Sequence, residues 1–141
     1  KAGEDNEILV CATDTAQRSQ TYGKQGYGDA RGIWQTVWLE SRPAAHIRFF
    51  FVQTKLDGTV TYDVELSPDA EGQIVTADFA GVHAEACVQN GQARLVMNIE
   101  NPALWTPEDP YLYEGTLSIG GDVISTYFGI REIGTAVFGA N

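Results

Sequence analysis

The chain has few basic residues and no long hydrophobic segment. Its 141 residues include 9 Lys and Arg against 19 Asp and Glu, which gives a formal net charge of -10. This balance argues against nucleic acid or an anionic membrane as partner, because phosphate binding needs clustered Lys and Arg. No apolar run approaches the roughly 20 residues of a membrane-spanning helix, and even residues 47–52 are interrupted by Arg48. The composition predicts a soluble domain whose partner is neither nucleic acid nor membrane.

Cysteine and histidine are also scarce. Cys11 and Cys87 are the two cysteines, and they can in principle pair. A chain of this length buries a core without a disulfide, so we expect two unpaired thiols packed as small apolar groups. His46 and His83 lie far apart, with no carboxylate or cysteine at ligand spacing. The sequence therefore predicts no metal site and no cofactor.

The common catalytic motifs are missing as well. No G-x-S-x-G sequence marks a hydrolase nucleophile. The glycine-rich stretch 23–28 has neither the spacing nor the strand-to-helix context of a phosphate-binding loop. We interpret it as a surface loop, and we assign no catalytic residue in the chain.

The sequence instead shows the alternation of β-strands. Val60, Tyr62, Val64 and Leu66 alternate with polar residues, the period-two pattern of a half-buried strand. Turn signals such as Asn-Gly and Gly-Gly separate similar segments at short spacing. Seven strands are predicted, over residues 46–54, 59–66, 72–80, 82–88, 93–99, 112–119 and 123–130.

This pattern predicts an all-β fold. Seven short antiparallel strands with regular turn signals are typical of an immunoglobulin-like sandwich. The chain lacks the Cys-Trp-Cys signature of antibody domains, so the fold prediction rests on strand number and spacing.

Three prolines within residues 102–110 interrupt the strand pattern. Each proline fixes φ, removes an amide donor and favours an extended predecessor, so a helix is excluded there. The segment is predicted to be an extended arm that brings Trp105, Tyr111 and Tyr113 to one end of the sandwich. The end of the arm is where a sandwich places a tyrosine corner, for which Tyr111 or Tyr113 is available, but we expect both rings to serve in packing.

The first forty residues form a different region. Residues 7–13 and 33–40 are predicted strands, and the second is apolar on both faces, so each face needs a covering layer. Either these strands dock on the sandwich, or another chain covers them, or the rest of their own domain is missing. The apolar side chains are Ile33, Val37 and Leu39 on one face and Trp34 and Trp38 on the other.

Three segments together carry a family resemblance: GIWQTVWLE at 32–40, the arm at 101–113, and YFGIRE at 127–132. Their order and separation resemble glycoside hydrolase family two, the β-galactosidase, β-glucuronidase and β-mannosidase group. The resemblance implies three parts. Residues 1–41 would be the last strands of an incomplete jelly-roll sugar-binding domain, 42–133 the immunoglobulin-like sandwich, and 134–141 the start of a linker to a catalytic barrel.

The resemblance also implies a function and its location. The family's two catalytic glutamates lie in a (β/α)₈ barrel, which takes roughly 250 residues. This chain alone is therefore expected to be a non-catalytic fragment of a β-galactosidase-like glycosidase. Its partners would be the jelly-roll and barrel domains, and it would meet carbohydrate only through the longer enzyme.

Several residues acquire expected roles from the resemblance. The loop before residue 32 approaches the active-site rim in the family, so Lys24, Gln25, Tyr27 and Asp29 are candidate substrate-binding residues, with a solvated connection as the alternative. Arg131 would fix the direction in which the chain leaves the sandwich. Domain-interface or structural roles are expected for Trp34, Trp38, Trp105, Tyr111, Tyr113 and Arg131.

Other hypotheses remain open. A free-standing carbohydrate-binding module would stack sugar rings on Trp34, Trp38 or Trp105, and an adhesive immunoglobulin-like module would occur in tandem repeats.

Glu108 and Asp109, an acidic pair between prolines, are assigned to a solvated turn. We expect the isolated chain to self-associate through its unpaired apolar strand. Localisation stays open between cytoplasm and periplasm or secretion.

Overall fold

The computed structural model describes Gly3, Asp5, Gly32, Ile33 and residues 7–13 and 35–134. The chain divides into two compact units, Lys1–Glu40 and Ser41–Asn141. The second unit contains all the strands of the described residues.

Seven strands form where the alternation predicts them, and their ends differ from the predicted ends by no more than two residues. A short 3₁₀ turn, Pro68–Ala70, follows the second strand. The strands are β1 (Ile47–Thr54), β2 (Thr59–Leu66), β3 (Ile74–Phe79), β4 (Val82–Cys87), β5 (Gln92–Asn98), β6 (Tyr113–Ile119) and β7 (Asp122–Phe128).

The strands form two antiparallel sheets. The three-stranded sheet has the order β1-β2-β5, and the four-stranded sheet has the order β4-β3-β6-β7. In β2, Val60, Tyr62, Val64 and Leu66 are buried and the residues between them are not. The alternation therefore places one face of each sheet in a shared core. The predicted all-β, immunoglobulin-like sandwich is confirmed.

A chain of aromatic rings runs through the core. Tyr62 stacks on Phe79 at 5.4 Å, Phe79 lies 5.2 Å from Phe128, and Phe128 stacks on Tyr113 at 5.3 Å. Burial of each large apolar side chain contributes about 1.5–3 kcal/mol. The Tyr62 hydroxyl is buried without a hydrogen-bond partner among the described residues, and burial raises the pKa of this group well above its usual range. The rings connect the middle of the sandwich with the end at which β6 begins.

Local turn chemistry fixes the connection from β1 to β2. Gly58 has φ +85°, and a Cβ atom there would collide with the backbone oxygen of Ile99, so only glycine fits. Asp57 Oδ1 accepts a hydrogen bond from the Thr59 amide at 2.9 Å. This bond is the main reason why the pKa of Asp57 is lowered.

The prediction of two strands in the first unit is wrong. Residues 7–13 and 35–40 have no strand assignment, and Trp34, within the predicted strand 33–40, lies outside the described residues. A strand needs a hydrogen-bonded neighbour, and no ladder between described residues includes either segment.

Among the described residues, no helix is long and apolar enough to cross a lipid bilayer.

Candidate functional site

The proline-rich arm reaches the end of β7 in an extended conformation. The segment from Pro102 to Leu112 contains no helix, as the prolines predict. Leu104 forms a parallel bridge with Ile130, and the Trp105 amide donates to the Ile130 carbonyl at 2.9 Å. The arm is therefore attached to the chain just beyond the last strand.

A stack of three residues forms at this attachment. The guanidinium carbon of Arg131 lies 4.9 Å from the centre of the Trp105 ring, a cation–π contact. A Cβ atom on Gly129 would lie only 3.0 Å from Trp105 Cβ and Cδ1. The absence of a side chain at Gly129 thus lets the tryptophan approach the backbone, while Arg131 covers a ring face.

Thr54, the last residue of β1, ties this stack to the three-stranded sheet. Its hydroxyl lies 3.4 Å from the Gly129 carbonyl and 3.3 Å from the Arg131 carbonyl, and these two oxygens share its single O–H donor. The Arg131 amide donates in turn to Thr54 Oγ1 at 3.5 Å. These long contacts join the end of β1 to the segment just beyond β7. Thr54 and Arg131 are 77 positions apart in the chain.

Tyr113 fixes the other end of the arm. Its hydroxyl accepts a hydrogen bond from the Ala103 amide at 2.7 Å, and its ring is buried against Phe128. A tyrosine at the start of a strand that bonds to backbone upstream has the geometry of a tyrosine corner. Tyr111 packs edge-on against Tyr113 at 4.9 Å but is largely exposed. Of the two candidates, Tyr113 makes the corner contact.

An open groove of about 820 Å³ lies beside the stack. Its walls combine apolar side chains with hydroxyls and two cations, Lys55 and Arg131, and none of its described lining residues is acidic. The groove suits contact with another surface better than acid–base chemistry. It is lined by Val52, Gln53, Thr54, Lys55, Thr59, Thr61, Trp105, Leu112, Tyr127, Phe128, Gly129, Arg131 and Ile133.

Residues 45–131 match the model of Glycosyl hydrolases family 2. The chain belongs to this family. A beta-galactosidase of Halalkalibacterium halodurans is 33% identical over 95 residues, covering 59% of this chain and 9% of that protein. The chain thus matches a small part of the length of this curated relative, and the resemblance found in the sequence is confirmed.

The family match contains the whole sandwich. It begins at Ala45, two residues before β1, and ends at Arg131, beyond β7. The arm and the Trp105–Arg131 contact therefore belong to the family-2 region, as does most of the groove. Only Ile133 of the groove lining falls outside the match.

Glu108 and Asp109 lie on an exposed turn within the arm. The Thr106 amide donates to the Asp109 carbonyl at 3.0 Å, and the Asp109 amide donates to Thr106 Oγ1 at 3.0 Å. These bonds involve the backbone of Asp109 and hold the turn closed. Neither acidic residue lines the groove.

The histidines occupy separate surroundings. His83 Nδ1 lies 2.7 Å from Asp78 Oδ1, and this bond is the main reason why the pKa of His83 is raised. His46 Nδ1 lies 2.9 Å from the Pro43 carbonyl. The part of the chain that the structure describes contains no cluster of three or more His, Cys, Asp or Glu side chains that could hold a metal ion.

Cys11 and Cys87 are both free, but both are exposed. The prediction that they pack as small apolar groups is wrong. Cys87 is the last residue of β4, where the alternation turns His83, Glu85 and Cys87 away from the core. The thiol therefore lies on the outer face of the four-stranded sheet.

Several predicted site residues cannot be located in the fold. Lys24, Gln25, Tyr27, Asp29 and Trp34 lie outside the described residues, so their roles stay predictions. Trp38 is described and 72% exposed. Its ring nitrogen donates to Glu40 Oε1 at 3.1 Å.

Two residues of the site, Gly129 and Thr54, were not predicted from the sequence. Gly129 entered the prediction only as part of the YFGIRE segment. The available signal for close packing was its position directly after Phe128, the last residue of β7. Thr54 had no signal, because its partners lie up to 77 positions away in the chain. The site is therefore made from the ends of β1 and β7 and from the arm.

Proposed function

We propose that this chain contributes the non-catalytic β-sandwich of a β-galactosidase-like glycoside hydrolase and links a sugar-binding domain to a catalytic barrel. The observation that carries this proposal is the groove at the sandwich exit. It lies where the family-matched segment ends, and its described lining includes no carboxylate. Such a surface can orient a following domain but cannot supply the acid and nucleophile of glycoside cleavage.

The chemistry of family-2 hydrolysis supports the same division of roles. A retaining glycosidase holds two carboxyl groups about 5–5.5 Å apart across the scissile bond. In the sandwich, two carboxylates bond to backbone amides instead. Asp122 Oδ2 accepts from the Ile47 amide at 2.8 Å, and Glu71 accepts from the amides of Asn90 and Gly91. These groups stabilise strand ends and turns.

The proposed partners are the other domains of the longer enzyme. Interfaces between domains of one chain bury about 600–1,500 Å² and are partly polar. The groove offers that mixture through Leu112, Tyr127, Lys55 and Arg131. Carbohydrate would be met only through the assembled enzyme.

The isolated chain would self-associate through exposed apolar residues, which light scattering across a concentration series would measure.

The carbohydrate-binding module is the less favoured alternative. Sugar stacking needs an open aromatic face, yet Arg131 lies over the Trp105 ring and Gly129 packs closely against the same side chain. Trp38 is exposed, but it is the sole exposed tryptophan among the described residues, and a single tryptophan does not make a binding row. Titration of the chain with galactosides by calorimetry would reveal such a module.

A domain replacement tests the proposal. The segment of the H. halodurans beta-galactosidase that aligns with residues 45–131 is replaced by those residues, and turnover of a chromogenic β-galactoside is measured. We expect the replacement to be active and a deletion of the segment to be inactive. The matched control is the replacement with Gly115→Val, which should abolish activity because a side chain there collides with Asp78 and Phe79.

The purified 141-residue chain completes the test. It should give no turnover of the same substrate. Turnover that follows the chain through successive purification steps would overturn the non-catalytic assignment. An inactive replacement enzyme that still has folded spectra and a sharp thermal transition would overturn the linking role.

A further inference from the structure

The turn between β4 and β5 contains the sole Asn-Gly pair in the sequence. Asn90 and Gly91 have φ values of +54° and +71°, and Gln89 and Gln92 exchange two backbone hydrogen bonds of 2.9 and 3.1 Å. These features define a two-residue turn with both central residues in the left-handed region, for which Asn-Gly is the preferred sequence.

A single carboxylate holds this turn from outside. Glu71, at the end of the 3₁₀ turn, accepts a hydrogen bond from the Asn90 amide through Oε1 at 3.0 Å. It accepts a second from the Gly91 amide through Oε2, also at 3.0 Å. Both bonds are charge-assisted, so they are stronger than those between neutral groups. Glu71 therefore engages the two amides of the pair at once.

The Gly91 amide is also the reactive group in deamidation of Asn90. In that reaction the Gly91 nitrogen attacks Cγ of the Asn90 side chain, loses its proton to solvent, and forms a new C–N bond. The side-chain amide leaves as ammonia, and a five-membered succinimide remains. Water then opens the ring to aspartate or isoaspartate. Glycine at the second position favours attack because it has no Cβ to obstruct the nitrogen.

We propose that Asn90 is a site of spontaneous deamidation and that Glu71 restrains the reaction. While Gly91 N–H is bonded to Oε2, the nitrogen keeps its proton and cannot turn toward Asn90 Cγ. Reaction therefore requires release of the Glu71 bonds. The site is exposed at Asn90, so water can open the succinimide without unfolding of the sandwich.

The products would change the sandwich at this corner. Isoaspartate adds a backbone carbon to a two-residue turn, and either product adds a negative charge beside Glu71. The Leu66 amide donates to the Gly91 carbonyl at 2.9 Å, and Glu65 pairs with Gln92 in the β2–β5 register. Deamidation would therefore disturb the start of β5 and the end of β2 together.

The variant Glu71→Gln tests the restraint, with Glu65→Gln as the matched control. Glu65 lines the same surface depression as Glu71 and Asn90 and loses the same charge, but its side chain makes no bond to either amide. The folded proteins are incubated at slightly alkaline pH, and peptide mass spectrometry follows deamidation of Asn90 over time. Denatured wild-type chain gives the unrestrained rate.

We expect Glu71→Gln to deamidate about tenfold faster than wild type, because loss of one charge-assisted bond is worth about 1.5 kcal/mol. Glu65→Gln should keep the wild-type rate. Hydrogen exchange at the Gly91 amide should accelerate in Glu71→Gln alone. An equal or slower deamidation rate in Glu71→Gln would overturn the proposal, as would wild type reacting as fast as denatured chain.

A second variant separates the restraint from general loosening. Glu71→Asp keeps the charge but is one methylene shorter, so it cannot keep both bonds without movement of the backbone. It should react at a rate between those of wild type and Glu71→Gln. Thermal melting of each variant checks that the sandwich is intact, and an unchanged rate in Glu71→Asp together with Glu71→Gln would contradict the role of Glu71.

Discussion

Strand β2 and the segment 35–40 are similar in composition but different in structure. Both contain apolar or aromatic residues next to polar ones, Tyr62 in β2 and Trp38 in the segment being the largest. β2 is paired with β1 on one side and β5 on the other, and Tyr62 is 0% exposed. The segment 35–40 has no strand assignment, and Trp38 is 72% exposed. The two segments differ because β2 has a hydrogen-bonded strand on each side, whereas no ladder between described residues includes the segment 35–40.

The comparison shows where stability resides. A side chain contributes through the apolar area that it removes from water, and the sandwich removes area by enclosing both inner sheet faces. The exposed residues of the first unit leave most of theirs in water. Equal substitutions in the two regions should therefore have very different effects.

The largest difference is expected for one substitution made in both regions. Leu117 is fully buried, and Leu39 is 85% exposed. Leu117→Ala should lower the free energy of unfolding by about 3 kcal/mol through lost burial and a residual cavity. Leu39→Ala should change it by less than about 0.5 kcal/mol. Urea unfolding followed by fluorescence measures both, and comparable losses would contradict the division into a packed and an exposed region.

A pair of glycines in the sandwich gives the next effect. A Cβ on Gly115 would collide with the Asp78 carbonyl and the Phe79 ring, whereas a Cβ on Gly121 meets no atom within 4 Å. Gly115→Ala should cost about 2 kcal/mol, since overpacking forces neighbours to move. Gly121→Ala should be close to neutral. Thermal melting compares them, and a neutral Gly115→Ala would mean that β3 and β6 can separate at no cost.

Two core tyrosines should respond differently to loss of the hydroxyl. Tyr113→Phe leaves the Ala103 amide without its acceptor and should cost about 1 kcal/mol. Tyr62→Phe removes a buried hydroxyl that has no hydrogen-bond partner in the described part of the chain, so it should be neutral or stabilising. Chemical denaturation of both variants measures the signs. Destabilisation by Tyr62→Phe would show that its hydroxyl has a partner such as bound water.

The smallest effect is expected on the exposed face of the four-stranded sheet. Asp78 raises the pKa of His83 above its ordinary value of 6.5, first through the hydrogen bond and then through its charge. Stability from this pair is therefore fully present below that ordinary value and is lost as pH rises through the raised pKa. Asp78→Asn should lower the NMR titration midpoint of His83. An unchanged midpoint would contradict the contact.

Much of the sandwich could be predicted because its signals are local. The alternation in residues 59–66 gave the bounds of β2 without error, and the prolines of the arm excluded a helix. The strand predicted at 33–40 failed because an apolar pattern does not specify a pairing partner. The prediction that Cys87 packs as a small apolar group failed for a related reason, since its burial depends on which face of β4 meets the core.

The candidate site could be predicted only in part. Trp105, Tyr113 and Arg131 could be predicted from the motifs in which they stand. It could not find the Leu104–Ile130 bridge or the bonds of Thr54, because those contacts join segments that are remote in the chain. The groove exists only where these segments meet.

The amino-acid sequence by itself determined the alternation of the seven sandwich strands, their turns and the family of this chain, because backbone preference and alternation act over a few residues. The tertiary structure alone decided which apolar segments became strands, which tyrosine hydroxyl found a partner, and which side chains line the groove. Each of these outcomes depends on atoms brought together by the packing of two sheets. Local sequence does not encode which remote atoms come close, since the free energy of their contacts arises only when the whole sandwich forms.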